Sequence, residues 1–289
     1  MTALVEKAAA KINLTLHVRG RRADGWHDLE SLVVFSGTGD RLSLEPGEGL
    51  SLTTSGITAG AAGPDDDNLV LRAARQAAVA FPNLRAGAFH LIKTLPVAAG
   101  LGGGSSDAAA ALRLLARSND IPLSDPRWHE IAAATGSDVP VCLAQHARMM
   151  RGRGDELGPE LALPRLFAVL VNPGVPVATP AVFSELGLKP GESFGYGAHP
   201  VLDTSSPTTL LGQLRKARND LEDPACVVAP QISPVLAVLA AGRGCRLARM
   251  SGSGATCFGL FENCHAAARA AAVIRRDHPG WWVKSTVLR

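Results

Sequence analysis

The sequence predicts an α+β protein, because strands and helices are mixed without the strict strand–helix–strand alternation of a parallel sheet. Alternating apolar residues bounded by Gly and Pro indicate an early group of strands at 10–18, 29–35, 41–45 and 50–54. The 289 residues allow one large domain or two modest ones. We predict two domains, 1–160 and 161–289, because the pattern of elements changes after residue 154.

Composition and charge narrow the class of protein. Hydrophobic residues make up 46% of the chain and charged residues 19%, a balance that is typical of globular proteins and excludes wholesale disorder. The net charge of +3 gives no reason to expect a nucleic-acid partner, although a locally basic pocket could still hold an anionic ligand.

The sequence gives no sign of a membrane or secreted protein. No apolar stretch approaches the ~18–20 residues that a bilayer-spanning helix needs. Glu6, Lys7 and Lys11 interrupt the N-terminus, which therefore lacks the apolar core of a signal peptide. The five cysteines are scattered and never spaced as a CxxC pair, which favours reduced thiols over disulfides or a metal site. We expect a cytoplasmic protein.

Local patterns define the elements of the first half. The strand at 10–18 alternates strictly, with apolar side chains at Ala10, Ile12, Leu14, Leu16 and Val18. A basic turn is predicted at 19–24. An acidic stretch at 65–68 predicts the cap of a helix over 69–81, and a strand over 88–95 ends before Pro96.

Helices dominate the middle of the chain. The glycine-rich residues after Pro96 lead into a helix with one apolar face, formed by Ala108, Ala111, Leu112 and Leu115. The next helix is predicted to begin at Pro126, with Asp125 as its cap, and to end near Gly136. The remaining predictions are strands at 165–171, 246–250, 256–261 and 282–288, and helices at 180–186, 207–216, 234–240 and 264–278.

A glycine-serine run, PVAAGLGGGSSD at 96–107, is the feature that says most about function. Its clustered glycines would destabilise a regular element, but they suit a backbone that turns sharply beside a ligand. Amide groups that lead into a helix N-terminus form an anion site, which the helix dipole reinforces. Ser105 and Ser106 add hydroxyls that could contact phosphate or a metal ion. From the residues alone, a plain flexible loop is the alternative.

Two common phosphate-binding motifs do not fit this run. It lacks the Gly-Lys-Ser/Thr ending of a P-loop. It also lacks the spacing of a dinucleotide fingerprint, since Ser105 and Asp107 occupy the positions where the last glycine would fall. A nicotinamide-dependent enzyme is therefore disfavoured.

The run instead resembles the central motif of the GHMP small-molecule kinases. Its extra glycines resemble the branch of that family whose acceptor is a cytidine diphosphate polyol of the non-mevalonate isoprenoid route. Further blocks resemble the same branch in the expected order: AKINL at 10–14, RRADGWHDL at 21–29, TGSDVP at 135–140, NDL at 219–221 and MSGSGAT at 250–256.

The resemblance implies a two-domain GHMP kinase fold. The N-terminal domain would be similar to domain 2 of ribosomal protein S5, and the C-terminal domain would be ferredoxin-like. It implies ATP and Mg²⁺ as cofactors, small-molecule substrates as the partners, and a monomer or weak homodimer. The residues that the resemblance assigns to ATP are Lys93, Pro96, Gly100, Leu101, Gly102, Gly103, Gly104, Ser105 and Ser106. An exposed strand lysine is the alternative for Lys93.

Two charged residues are the candidates for the chemistry. Phosphoryl transfer to an alcohol needs alignment, charge stabilisation and a group that accepts the hydroxyl proton. Asp138 follows Gly136 in an otherwise apolar stretch, where a helix-capping aspartate is the alternative. The resemblance makes Asp138 the base and places Lys11 beside it, as the cation that favours the ionised carboxylate and balances the moving charge. A solvated strand lysine is the alternative for Lys11.

The acceptor residues are also carried over from the resemblance. Asn13 would bind the polyol, and His27 would contact the cytosine edge with its donor and acceptor nitrogens. Trp26 and Phe183 would stack on the pyrimidine faces. Thr179 matches a substrate-side turn. Core aromatics are the alternative for Trp26 and Phe183, since either ring alone would suit a hydrophobic core.

The chain departs from the family pattern at a few positions. Trp26 replaces the usual tyrosine, which removes a phenol hydroxyl. Asp107 stands where asparagine is common, and its carboxylate suits a helix N-terminus but would repel ATP phosphates unless it helps to hold Mg²⁺. An acceptor such as homoserine, mevalonate or a sugar, and a nucleotide sensor without turnover, are the alternative functions.

Overall fold

The computed structural model describes residues 3–61, 68–195 and 197–289, and it confirms the α+β class. Over these ranges, no helix is both long enough and apolar enough to cross a membrane. The strands are β1 Leu4–Asn13, β2 His17–Arg21, β3 His27–Glu45, β4 Leu50–Ser55, β5 Gly87–Ile92, β6 Arg148–Gly152, β7 Glu156–Glu160, β8 Leu166–Asn172, β9 Cys245–Met250, β10 Cys257–Phe261 and β11 Trp282–Leu288.

The helices follow the chain in the same way, with a short 3₁₀ turn at Ala59–Ala61 before the first. They are α1 Leu69–Ala80, α2 Gly103–Ser118, α3 Pro126–Thr135, α4 Val139–Ala144, α5 Thr179–Glu185, α6 Pro207–Lys216, α7 Glu222–Val228, α8 Ile232–Ala241 and α9 Cys264–Asp277.

The chain divides into two compact units, each made of several segments. The first comprises Met1–Lys11, Gly39–Val97 and Gly102–Gln145. The second comprises Ile12–Thr38, Ala98–Leu101 and His146–Arg289. The sequence predicts one boundary near residue 160, whereas β1, β3 and the glycine run each contribute residues to both units. The domain boundary at 160 therefore stays a prediction.

The first unit combines a small sheet with four helices. Strand β5 lies between β4, which pairs with it in parallel, and the second half of β3, which pairs with it antiparallel. Helices α1 to α4 pack on one another, and Trp128 of α3 is fully buried with its ring 4.5 Å from that of Phe81. Helix α1 confirms the predicted helix, and its cap is Asn68, which accepts a hydrogen bond from Val70 N at 3.0 Å. The rest of the predicted acidic cap, 65–67, lies outside the described residues.

The second unit is built on antiparallel strands. The first half of β3 pairs with β2 and β6, and β7 pairs with β6. Strands β11, β8, β10 and β9 pair antiparallel in that order, and helices α8 and α9 pack against them. These strands and α5, α6, α8 and α9 confirm the predicted elements of this part of the chain within a few residues.

Two strands that the sequence separates are one strand in the structure. The predictions over 29–35 and 41–45 are joined in β3, and Gly37 and Gly39 lie inside it. A Cβ at Gly39 would collide with the backbone carbonyl of Ala8 on β1. Glycine at that position therefore marks the close approach of two strands, and its prediction as a strand boundary is wrong.

Other differences come from short or basic segments. The predicted basic turn at 19–24 is partly strand, because 17–21 pairs antiparallel with 27–30. The arginine-glycine stretch at 151–154 lies in the hairpin of β6 and β7. Helices α4 and α7 were not predicted, since six or seven residues are too few to display a helical period.

A buried ionic cluster anchors helix α2 in the first unit. Lys93, at the end of β5, donates hydrogen bonds to the carboxylates of Asp40 on β3 and Asp107 on α2, the latter at 2.7 Å. The backbone amides of Thr94 and Leu95 donate to Asp40 Oδ1 at 2.5 and 2.8 Å. All three side chains of the ionic cluster are buried. The helix that follows the glycine run is thereby tied to two strands of the sheet.

This cluster holds two carboxylates for one ammonium. Burial raises the pKa of Asp107 from 3.8 to about 7; Lys93 opposes the rise and the nearby carboxylate of Asp40 adds to it. Burial alone would lower the pKa of Lys93, but the two carboxylates more than offset it and raise that pKa. Asp107 Oδ1 has no hydrogen-bond partner among the described residues. With a pKa of about 7, Asp107 is only partly ionised in the folded protein at neutral pH.

Asp107→Asn is expected to stabilise the protein more at pH 8 than at pH 5. The folded state holds a proton on Asp107 between pH 3.8 and about 7 while the unfolded state does not, so the stability contributed by Asp107 falls as pH rises through that window. An asparagine does not titrate and escapes this loss. Urea unfolding should give a gain in free energy of unfolding about 1–3 kcal/mol larger at pH 8 than at pH 5.

The control for this measurement is Asp120→Asn, which changes an exposed aspartate at the end of the same helix. It should show no comparable difference between the two pH values. An equal effect of Asp107→Asn at pH 5 and pH 8 would contradict the interpretation of the cluster.

Candidate active site

The glycine run forms a tight turn that leads directly into helix α2. Gly100 and Gly102 have φ angles of +73° and +60°, in the left-handed region that glycine adopts without strain. Gly102 is the N-cap of α2 and carries no side chain to cap the first turn. A Cβ at Gly102 would lie 3.2 Å from the side chain of Lys11. The first-turn amides of α2 and the neighbouring ammonium therefore favour an anion at this point.

The helix begins earlier than the sequence predicts. Gly103 and Gly104 belong to the first turn of α2, and only 96–102 form the loop. Ser106 is fully buried in the helix, and its hydroxyl donates to Ala9 O on β1 at 2.7 Å and to Cys142 Sγ at 3.3 Å. Ser105 is partly exposed. Of the two predicted phosphate-contacting hydroxyls, that of Ser106 is engaged inside the protein.

Residues 98–101 of the run lie in the second unit, where the MSGSGAT segment at 250–256 holds them by hydrogen bonds. Gly100 O accepts a hydrogen bond from Ser251 Oγ at 3.0 Å, and Ala99 O accepts one from Thr256 N at 3.1 Å. A Cβ at Gly100 would collide with the carbonyl oxygen of Ser251. Leu101 is buried and Pro96 is half-buried. These residues shape the loop more than they offer side chains to a ligand.

Lys11 and Asp138 form an ion pair in the first unit. Lys11 Nζ donates to Asp138 Oδ2 at 2.7 Å; the Lys11 side chain is 6% exposed and that of Asp138 is 30% exposed. Asp138 stands at the N-cap position of α4, yet its side chain makes no capping hydrogen bond. The carboxylate is thus held by a cation and partly open to a ligand, which suits a base better than a structural cap.

A buried thiol lies against this pair. Cys142 is fully buried on α4, and burial raises the pKa of its thiol to about 12, with the Asp138 carboxylate adding to the rise. The thiol therefore stays protonated at neutral pH. A thiolate nucleophile at this position is excluded.

In the second unit, Asn13 is a buried amide with one open acceptor. Its Nδ2 donates to Ser31 Oγ at 2.7 Å, and its backbone N donates to Ser251 Oγ at 3.1 Å. Asn13 Oδ1 has no hydrogen-bond partner among the described residues, and a Cβ at Gly252 would lie 3.4 Å from it. Asn219 donates to the carbonyls of Met250 and Gly252 at 2.9 Å each and so fixes the glycine turn beside Asn13.

The aromatic residues predicted to bind the base, Trp26, His27 and Phe183, all lie in the second unit, and their contacts with a base stay a prediction. His27 and Phe183 stack on each other with ring centroids 4.4 Å apart and an interplanar angle of 26°. Trp26 is 54% exposed, with the Arg153 guanidinium 5.3 Å above its ring. The imidazole of His27 therefore lies against one face of the Phe183 ring. Thr179 Oγ1, at the start of α5, lies 2.8 Å from Ser253 Oγ.

His27 has the properties of a neutral recognition group. Its Nε2 is buried and has no hydrogen-bond partner among the described residues. Burial lowers the pKa of His27, and Arg21 adds to the effect. The imidazole therefore stays neutral at physiological pH and keeps one donor and one acceptor nitrogen.

Sequence reasoning missed Asp40 and the structural role of Ser251. Asp40 follows Gly39 in a long strand, and a charged residue in a buried strand position would have signalled a buried partner. Lys93, predicted to reach the nucleotide, has its ammonium held by Asp40 and Asp107. Across the described ranges, no group of three or more His, Cys, Asp or Glu side chains is placed to hold a metal ion.

Comparisons with known proteins identify the family. Residues 68–146 match the GHMP kinases N terminal domain and 208–280 match the GHMP kinases C terminal family. The chain is 62% identical over 291 residues to a 4-diphosphocytidyl-2-C-methyl-D-erythritol kinase of Methylobacterium radiotolerans, covering 100% of both chains. It is 56% identical over 290 residues to the kinase of that name from Xanthobacter autotrophicus, covering 98% of each.

Solved structures agree with these relatives. A crystal structure of 4-(cytidine 5'-diphospho)-2C-methyl-D-erythritol kinase matches with a TM-score of 0.77 and 34% identity, covering 99% of both chains. Homoserine kinase from Cytophaga hutchinsonii matches with a TM-score of 0.72 and 18% identity, covering 99% of this chain and 94% of that one, so it shares the fold. Both family halves match in order and the relatives match over the whole length, so the chain belongs to the 4-diphosphocytidyl-2-C-methyl-D-erythritol kinases of the GHMP family and is a kinase.

Proposed function

We propose that the chain transfers the γ-phosphoryl group of ATP to the 2-hydroxyl of 4-diphosphocytidyl-2-C-methyl-D-erythritol, in the non-mevalonate route to isoprenoid precursors. The observation that carries this proposal is the Lys11–Asp138 ion pair, in a chain 62% identical over its full length to a kinase named for that acceptor. A carboxylate that a cation orients and that is partly exposed suits the role of proton acceptor for an alcohol substrate.

Asp138 is proposed as the base. Its carboxylate accepts the proton of the acceptor hydroxyl as the bond to phosphorus forms, and the γ-phosphoryl leaves ADP. Lys11 donates to the same carboxylate and orients it before transfer. Its positive charge also offsets the negative charge that builds on the transferring group. The ion pair thereby supplies both the proton acceptor and the electrostatic stabilisation.

The glycine run is proposed to hold the ATP phosphates. A Cβ at Gly102 would fill the approach to Lys11, so the glycine leaves room there for a phosphate group. The first-turn amides of α2 and the Ser105 hydroxyl are the proposed donors, and Lys93 contributes by anchoring α2. Mg²⁺ would be held mainly by the phosphates themselves, as is usual for nucleotide-bound Mg²⁺, and would neutralise part of their charge.

The second unit is proposed to recognise the cytidine diphosphate polyol. Neutral His27 offers a donor and an acceptor to the cytosine edge, and its stack with Phe183 fixes the ring orientation. Exposed Trp26 is a further stacking surface. The open Oδ1 of Asn13 accepts from a polyol hydroxyl, and Thr179 lies on the substrate side.

Asp138→Asn and Lys11→Met are each expected to lower kcat about 100- to 10,000-fold, because each removes one member of the base–cation pair. KM for ATP should change far less, since neither residue is proposed to provide most of the nucleotide binding. ADP release under saturating substrates measures both constants. Asp125→Asn, which changes the half-buried cap of α3 in the same unit, is the control and should keep kcat within about twofold. A kcat for Asp138→Asn close to wild type would exclude Asp138 as the base.

An acceptor panel tests the substrate. ADP release should be fastest with 4-diphosphocytidyl-2-C-methyl-D-erythritol and much slower with 2-C-methyl-D-erythritol 4-phosphate, which has no base to stack. Phe183→Leu should raise KM for the cytidine acceptor about 2- to 12-fold, because an aromatic contact is worth ~0.5–1.5 kcal/mol. Its effect on KM for ATP should be small. Faster ADP release with homoserine, mevalonate or a sugar would overturn the assignment.

A further inference from the structure

A largely buried arginine on helix α2, Arg113, joins the two elements that carry the proposed catalytic pair. Arg113 Nε donates to Glu6 Oε2 on β1 at 3.2 Å. Its Nη1 donates to the carbonyls of Cys142 and Leu143 on α4 at 2.9 and 3.3 Å. Its Nη2 donates to Lys7 O, again on β1, at 3.3 Å. One side chain thus contacts both β1 and α4.

A second contact of the same kind lies two turns earlier on α2. Ser106 is seven residues before Arg113, so the two side chains share one face of the helix. The Ser106 hydroxyl contacts Ala9 O on β1 and Cys142 Sγ on α4. Helix α2 therefore contacts both β1 and α4 at two positions along its length.

Strand β1 and helix α4 also position the two residues of the proposed catalytic pair. Strand β1 carries Lys11, and Asp138 immediately precedes the first residue of α4. We propose that Arg113 is a positioning residue, which sets the separation of Lys11 and Asp138 by tying β1 and α4 to the helix that begins at the phosphate-binding turn. This proposal rests on the proposed roles of Lys11 and Asp138.

The chemistry of the guanidinium explains why arginine occupies this position. The carbonyls of Cys142 and Leu143 lie in the last turn of α4, where backbone acceptors have no partner within the helix. A planar guanidinium has five N–H donors in a fixed fork, and a lysine ammonium cannot reach a carboxylate and two carbonyls in that geometry. Burial lowers the pKa of Arg113, and Glu6 opposes the shift, so the group stays charged at neutral pH.

Arg117 is a matched control on the same helix. Its Nη1 donates to Glu6 Oε1 at 2.8 Å and its Nη2 to Val5 O at 3.0 Å, so it shares the carboxylate partner. Its side chain is 47% exposed, against 11% for Arg113, and its hydrogen bonds to Glu6 and Val5 both go to β1. Loss of Arg117 removes one anchor on β1 but leaves the link to α4 intact.

The test compares Arg113→Met, Arg113→Lys and Arg117→Met in ADP release. The assay uses whichever acceptor the panel finds best, so a wrong acceptor assignment overturns the proposed function without affecting this test. Arg113→Met should lower kcat about 10- to 100-fold while KM for ATP stays within about threefold, because misplaced groups cost rate more than ground-state binding. Arg113→Lys should recover only part of kcat, and Arg117→Met should stay within about twofold of wild type.

Amide hydrogen exchange gives a second readout that does not depend on turnover. Amides of 139–144 should exchange faster in both Arg113 variants than in wild type or Arg117→Met. If Arg113→Met does not fold, Arg113→Lys carries the test. A kcat for Arg113→Lys equal to wild type, unchanged exchange at 139–144, or an equal loss of kcat in Arg117→Met would each overturn the proposal.

Discussion

The proposed chemistry of the first unit depends on one ion pair, between Lys11 and Asp138. Lys11 is almost completely buried, and an ammonium removed from water is costly unless a counter-charge replaces the lost solvation. Asp138 supplies that charge while its own carboxylate stays partly exposed. The same contact that compensates the buried ammonium of Lys11 also orients the carboxylate of Asp138, so stability and the proposed chemistry depend on one interaction.

Helix α2 organises the surroundings of this pair. At its N-terminus the left-handed Gly102 is the N-cap and offers no side chain to the first-turn amides, which are the proposed donors to phosphate. Along one face, Ser106 and Arg113 hold β1 and α4, and on another side Asp107 joins Lys93 in the buried cluster. The proposed phosphate-binding turn leads into α2, and β1 and α4, which carry Lys11 and Asp138, are hydrogen-bonded to the same helix. Phosphoryl transfer requires such fixed alignment from a protein.

The fold class, most helices and strands, and the family could be predicted from the sequence, because periodicity, helix caps and the glycine run are local signals. The sequence did not predict features that depend on contacts between residues far apart in the chain. The sequence around Gly39 predicts a strand break, but the structure places the backbone of Ala8 against Gly39 inside a continuous strand. The sequence also gave no sign that the Ser106 hydroxyl donates to Ala9 O on β1. Likewise the stack of Phe183 on His27 depends on residues far apart in the chain. No spacing rule could have predicted these pairings.

A double-mutant cycle on kcat would test the central interaction most directly. If Lys11 acts by holding and supporting the Asp138 carboxylate, its loss should matter little once that carboxylate is gone. The combined Lys11→Met, Asp138→Asn enzyme should then have a kcat within about threefold of the slower single variant, as is usual for groups that act as a unit. Losses that multiply would show that the two residues act independently and would contradict a coupled catalytic pair.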